Sequence, residues 1–119
     1  MNFEKNQPFL VRLRFAVTGL RHGWRTERSL RAQALALCAA LIALALIRPP
    51  AIWCGLVVLA GTCVIAAELF NTARERLADH LHPGRHPEIR AVKDAAAAAV
   101  LVLAAGAVAV AIALVLSRT

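Results

Sequence analysis

The stretch Leu30–Phe70, LRAQALALCAALIALALIRPPAIWCGLVVLAGTCVIAAELF, decides the fold. It holds two apolar runs, Leu30–Ile47 and Ile52–Phe70, of 18 and 19 residues, parted only by Arg48, Pro49, Pro50 and Ala51. A third run, Ala95–Leu116, has 22 residues. At about 1.5 Å per residue the three make helices of roughly 27, 28 and 33 Å, which matches a hydrocarbon core about 30 Å thick. The double proline stops a helix and imposes an extended turn, so the first two spans form an antiparallel hairpin. The expected fold class is an all-α membrane protein with a single membrane domain over residues 1–119. Its parts are an N-terminal amphipathic surface helix over 9–29, span 1 over 30–47, span 2 over 52–70 with its helix continuing to about 80, and span 3 over 95–116.

Composition agrees with this reading. Hydrophobic residues make up 60% of the 119-residue chain and charged residues 18%. A soluble domain carries roughly 45–50% and about 25%. A mean hydropathy of +0.63 with a net charge of +7 describes apolar spans between basic flanks, and it excludes intrinsic disorder. Only 5% of residues are aromatic and none is Tyr, which leaves few stacking platforms; no nucleic-acid partner is expected. Cys38, Cys54 and Cys63 all fall inside apolar runs with no metal-ligand spacing, and read as small apolar fillers. The charged stretch Met1–Arg31 does not fit a secretory signal and is expected to stay in the mature protein.

Basic residues set the expected orientation. Lys5, Arg12, Arg14, Arg21, Arg25, Arg28 and Arg31 precede span 1, and Arg74, Arg76, Arg85, Arg90 and Lys93 lie between spans 2 and 3. Only Arg48 and Arg118 fall on the other side. The positive-inside rule then puts the N-terminus and second loop in the cytoplasm and the C-terminus outside. All seven carboxylates share the cytoplasmic side. Residues Phe9–Leu30 mix Leu10, Leu13, Val17 and Leu20 with Arg12, Arg14 and Arg21, the pattern of a basic helix lying on a membrane.

The strongest chemical signal is Glu68, Asn71, Thr72, Glu75 and Asp79, at offsets of three, four, seven and eleven. At about 100° per residue they share an arc of roughly 100°, so one helix face carries three carboxylates, an amide and a hydroxyl. An ionisable Glu68 at the end of an apolar span is expensive unless it is used or paired. The bland alternative has it paired with an Arg that ends the span. Carboxylates about two turns apart amid arginines suit a hard cation such as Mg²⁺, which binds oxygen and arrives with phosphates, and Glu75 is a candidate ligand. The plain reading of Glu75 and Asp79 is a solvated i,i+4 pair alternating with Arg74 and Arg76. Lys93 and Asp94 precede span 3 as a phosphate-binding pair or a simple interfacial anchor. His80, His82 and His86 read as solvated loop residues, since the chain breaks over His82–Pro87. There is no Gly-rich phosphate loop, so any nucleotide chemistry uses another cradle.

Together these residues resemble the bacterial integral-membrane diacylglycerol kinases and the related undecaprenol kinases. The likeness rests on Glu68-Leu69-Phe70-Asn71-Thr72-Ala73-Arg74-Glu75 with Asp79, on Thr26-Glu27-Arg28, Arg31 and Gln33 upstream, and on His86-Pro87-Glu88 and Lys93-Asp94 ahead of an Ala-rich span. It runs from about Arg12 to the C-terminus. Arg74, Val92, Ala97 and Ala98 depart from the usual pattern without removing a proposed catalytic group. The resemblance implies an ATP-dependent lipid kinase of the bacterial inner membrane, acting as a homotrimer on diacylglycerol, with undecaprenol as the alternative substrate. It implies Glu68 as general base with Asn71 as its catalytic companion, and Glu27 and Glu75 as ligands of Mg²⁺. ATP is then held by Glu27, Asn71, Glu75, Asp79, His86, Lys93 and Asp94. A rival of another class is a non-enzymatic transporter subunit or scaffold in which Glu68 binds an ion or substrate.

Overall fold

The computed structural model describes residues 7–119. Four helices follow one another: α1 Phe9–Thr26, α2 Arg28–Ile47, α3 Ala51–Leu81 and α4 Pro87–Ser117. The last three are long and apolar enough to cross a membrane. With 31 residues each, α3 and α4 are about 46 Å long, so each overruns a hydrocarbon core by about 16 Å. On α3 the polar face from Glu68 onward occupies the C-terminal part of the helix.

Each break has a local cause. Glu27 takes an extended backbone (φ −111°, ψ 110°) and its N–H closes the last turn of α1 on Gly23 O at 2.8 Å. The expected surface helix over 9–29 therefore ends at Thr26, and Arg28 and Ser29 belong to the first turn of α2. The boundary follows the backbone bend at Glu27 rather than the onset of apolar residues at Leu30. At the other end of α2, Arg48 sits in the left-handed region (φ 53°, ψ 57°), and Pro49 and Pro50 lead directly into α3. The α3–α4 turn spans only His82–His86, with Pro87 as the first residue of α4, where its missing N–H loses nothing. His80 lies in the last turn of α3, a correction to its reading as a loop residue: the helix persists until the chain nears Pro83.

Helix α3 is the hub, packed along α4 and α2 and touched by α1. The contacts are thin. Buried apolar residues are Leu30, Leu44, Val64, Ala78, Ala96 and Leu114, while Leu46 and Leu101 are at least 70% exposed. Apolar surface turned outward is what a bilayer solvates, since lipid tails are as apolar as leucine. Two glycines admit the closest approaches. A Cβ on Gly61 of α3 would lie 2.4 Å from Leu37 Cδ1, and one on Gly23 of α1 would lie 2.9 Å from Leu30 Cδ2 and 3.3 Å from Leu69 Cδ2. Gly23 thus seats the end of α1 on α2 and α3, one residue from Glu68.

Candidate active site

The polar face of α3 is shared between its neighbours. Glu68, only 6% exposed, is the one buried charged side chain among the described residues. Its Oε2 accepts a hydrogen bond from Ser29 Oγ in the first turn of α2 at 3.0 Å. No arginine pairs with it among the described residues, so the span-ending ion pair is not formed. Thr72 Oγ1 turns back to Glu68 O at 3.0 Å and leaves the carboxylate alone. Asn71, one turn further on, lines a groove of about 510 Å³ between α3 and α4 with Phe70, Arg74, Ala96 and Ala99. Its Oδ1 is buried and has no hydrogen-bond partner among the described residues. An unpaired buried carbonyl costs about 1–3 kcal/mol, so this atom is poised to take a donor from a ligand.

Further along the same face, Asp79 is taken up by α4. Its Oδ1 receives Lys93 Nζ from α4 at 2.5 Å, which replaces the solvated pair with Glu75. Around that bond Asp79, Arg85, His86, Ile89, Arg90 and Lys93 line a cleft of about 740 Å³ at the α3–α4 turn. His86 is held as the cap of α4, its Nδ1 accepting from Glu88 N at 3.1 Å. Asp94 lies outside the cleft lining, bridged to Arg90 Nε at 3.2 Å on the exposed surface.

Glu27 and Glu75 are half-buried, and the structure places no hydrogen bond or ion pair on either side chain among the described residues. Glu27 stands at the N-cap position of α2 without using its carboxylate to cap the helix. The carboxylates thus sort themselves: Asp79 and Asp94 are committed to ion pairs, and Glu27 and Glu75 are not. Oxygen donors of that kind are what a hard divalent cation binds, so the two side chains fit Mg²⁺ chemically. Among the described residues no three His, Cys, Asp or Glu side chains converge as a metal set. Along α3, Glu75 lies about 10 Å and Asp79 about 16 Å beyond Glu68. A buried carboxylate and a basic cleft are therefore joined by one helix.

Sequence reasoning missed Ser29, Arg85 and Arg90. The cations could have been found as neighbours of the His82–Pro87 break. Ser29 lies 39 residues from its partner, and no local pattern marks it.

Three helices long and apolar enough to cross a membrane, one of them carrying a carboxylate face at its end, fit a multi-pass membrane protein. The family profile described as prokaryotic diacylglycerol kinase matches residues 14–115. The chain belongs to the prokaryotic diacylglycerol kinase family, a family of lipid kinases in a multi-pass membrane setting. A comparison with curated proteins returns no match.

Proposed function

We propose that the protein transfers the γ-phosphoryl group of ATP to the free hydroxyl of diacylglycerol, giving phosphatidic acid at the cytoplasmic face of the bacterial inner membrane. The observation that carries this reading is Glu68: a buried carboxylate held on one oxygen by Ser29, which this reading sets at the depth of a lipid hydroxyl. The other oxygen, Oε1, accepts no hydrogen bond from the described residues. It takes the hydroxyl proton as the lipid oxygen bonds to the γ-phosphorus. The bond from that phosphorus to the β,γ-bridging oxygen breaks, ADP leaves, and Glu68 returns its proton to the cytosol. Phosphoryl transfer asks chiefly for positioning and charge neutralisation.

Glu27 and Glu75 are the side chains that would hold Mg²⁺, which would supply charge neutralisation on the phosphates. Lys93 carries the point charge for the nucleotide, exchanging Asp79 for phosphate oxygen, while Arg85, His86 and Asp94 border its entry. Asn71 Oδ1 accepts a donor from the bound substrates. In this reading α1 lies on the cytoplasmic surface with Leu13, Val17, Leu20 and Trp24 towards lipid and Arg14, Arg21 and Arg25 towards water and headgroups. Copies of the chain assemble, because a three-span chain with so thin a core leaves polar and close-packing surface for neighbours, and the family resemblance implies three of them.

The test is ³²P transfer from ATP in mixed micelles offering diacylglycerol and undecaprenol side by side. Label in phosphatidic acid, absent with Glu68→Gln, is the expected result. Label in undecaprenyl phosphate alone moves the protein to the other substrate. A folded oligomer that labels neither lipid returns the reading to the non-enzymatic class.

A further inference from the structure

We propose that Ser29 is a positioning residue of the phosphoryl-transfer site: its hydroxyl anchors Oε2 of Glu68 and so turns Oε1 towards the acceptor hydroxyl. The proposal rests on the reading of Glu68 as general base. Three observations and one general principle carry it. Ser29 Oγ is the sole donor to the Glu68 carboxylate among the described residues, at 3.0 Å. Burial leaves little water to hold that carboxylate instead, since Glu68 is 6% exposed. A donor to an ionised acceptor is roughly twice as strong as a neutral pair, enough to select one rotamer of a flexible side chain. Ser29 could otherwise serve the exposed N–H groups at the start of α2, yet it reaches across to α3.

The corner that carries Ser29 is itself clamped. Arg31 Nη1 donates to Trp24 O at 2.7 Å and Arg25 O at 3.2 Å, tying the first turn of α2 to the last carbonyls of α1. Arginine there also complements the negative end of the α1 dipole. Gly23 presses the same corner onto Leu30 and Leu69. The donor is thus fixed by two elements before the base meets it, as a preorganised site requires. Glu27, two residues before Ser29, shares this corner, so one bend sets both the base and the candidate metal ligand.

The experiment measures kcat and KM for ATP and lipid, with thermal stability alongside, in Ser29→Ala, Ser29→Thr and Ser29→Cys. Each is made in the full chain, and Ser29→Ala also in a Glu68→Asp background, where the shortened carboxylate no longer reaches position 29. Ser29→Ala is expected to lower kcat by about tenfold with both KM values within about twofold, the loss of one hydrogen bond to a charged group. Ser29→Thr keeps the hydroxyl and recovers most of the rate. On top of Glu68→Asp, Ser29→Ala changes kcat by less than about twofold, because the shared interaction is already gone. If Ala lowers stability, Ser29→Cys decides, since a thiol keeps the size but donates weakly and should lose rate as Ala does. Wild-type rates in Ser29→Ala beside an inactive Glu68→Gln overturn the role of Ser29 and leave the base standing. Equal losses in both backgrounds, or no recovery by Thr, overturn it as well. Full activity in Glu68→Gln removes the base itself, and the positioning role with it.

Discussion

At the scale of residues, the site separates carboxylates by what holds them. Glu68 is buried against a hydroxyl, a neutral partner that orients it without neutralising it. Replacing it by Gln keeps size and hydrogen bonding but removes the base, and transfer should fall by at least about 10²-fold in the micelle assay. Glu75→Gln should weaken transfer by raising the Mg²⁺ concentration needed for half-maximal rate, read by Mg²⁺ titration at saturating lipid. Lys93 makes an ion pair whose partner Asp79 is 63% exposed at its side chain. Exposed pairs contribute little, so Lys93→Met should change unfolding free energy by less than about 1 kcal/mol while raising KM for ATP severalfold. A stability loss of several kcal/mol would make the Asp79–Lys93 contact structural instead.

At the scale of elements, glycine sets how closely the helices meet. Gly61 faces the tip of Leu37, with Cδ1 2.4 Å from where a Cβ would stand. Gly61→Val should therefore push α2 from α3 and cost about 1–3 kcal/mol in thermal or denaturant unfolding; adding Leu37→Ala should return part of it. Additive losses in the double variant would mean the two residues do not compete for space. Helices of this kind were legible from the chain because apolar length, Pro49–Pro50 and Pro83–Pro87 act locally. Their chemistry was legible as far as one helix face can show it: the periodicity put Glu68, Asn71, Glu75 and Asp79 together. It could not show that the face would be divided, with Glu68 turned to α2 and Asp79 to α4, because partner helices are not encoded in spacing along α3. The Glu27 bend escaped for a similar reason. Helix-forming residues surround it, and the corner is held by the packing of Gly23 on Leu30 and Leu69 and by Arg31 on the last carbonyls of α1.

At the scale of the whole molecule, most of the apolar surface of α2, α3 and α4 remains uncovered within one chain. Crosslinking in native membranes is expected to trap trimers, and a ladder that stops at monomer would count against that assembly. The proposed orientation has an equally direct check. A cysteine placed at Gly84 should react with an impermeant thiol reagent only from the cytoplasmic side, and one placed at Thr119 only from outside, in a background with Cys38, Cys54 and Cys63 replaced.

The connection between α2 and α3 has a further consequence, for how the protein enters its membrane. Only Arg48, Pro49 and Pro50 lie between the two helices, and Arg48 closes α2 through its own N–H on Leu44 O at 2.9 Å. In the proposed orientation this tip is all that must be carried across the bilayer between the first two spans, with one charge on it. A connection this short leaves no extended polar loop to pass through hydrocarbon, so the two helices are expected to enter the lipid together as a pair.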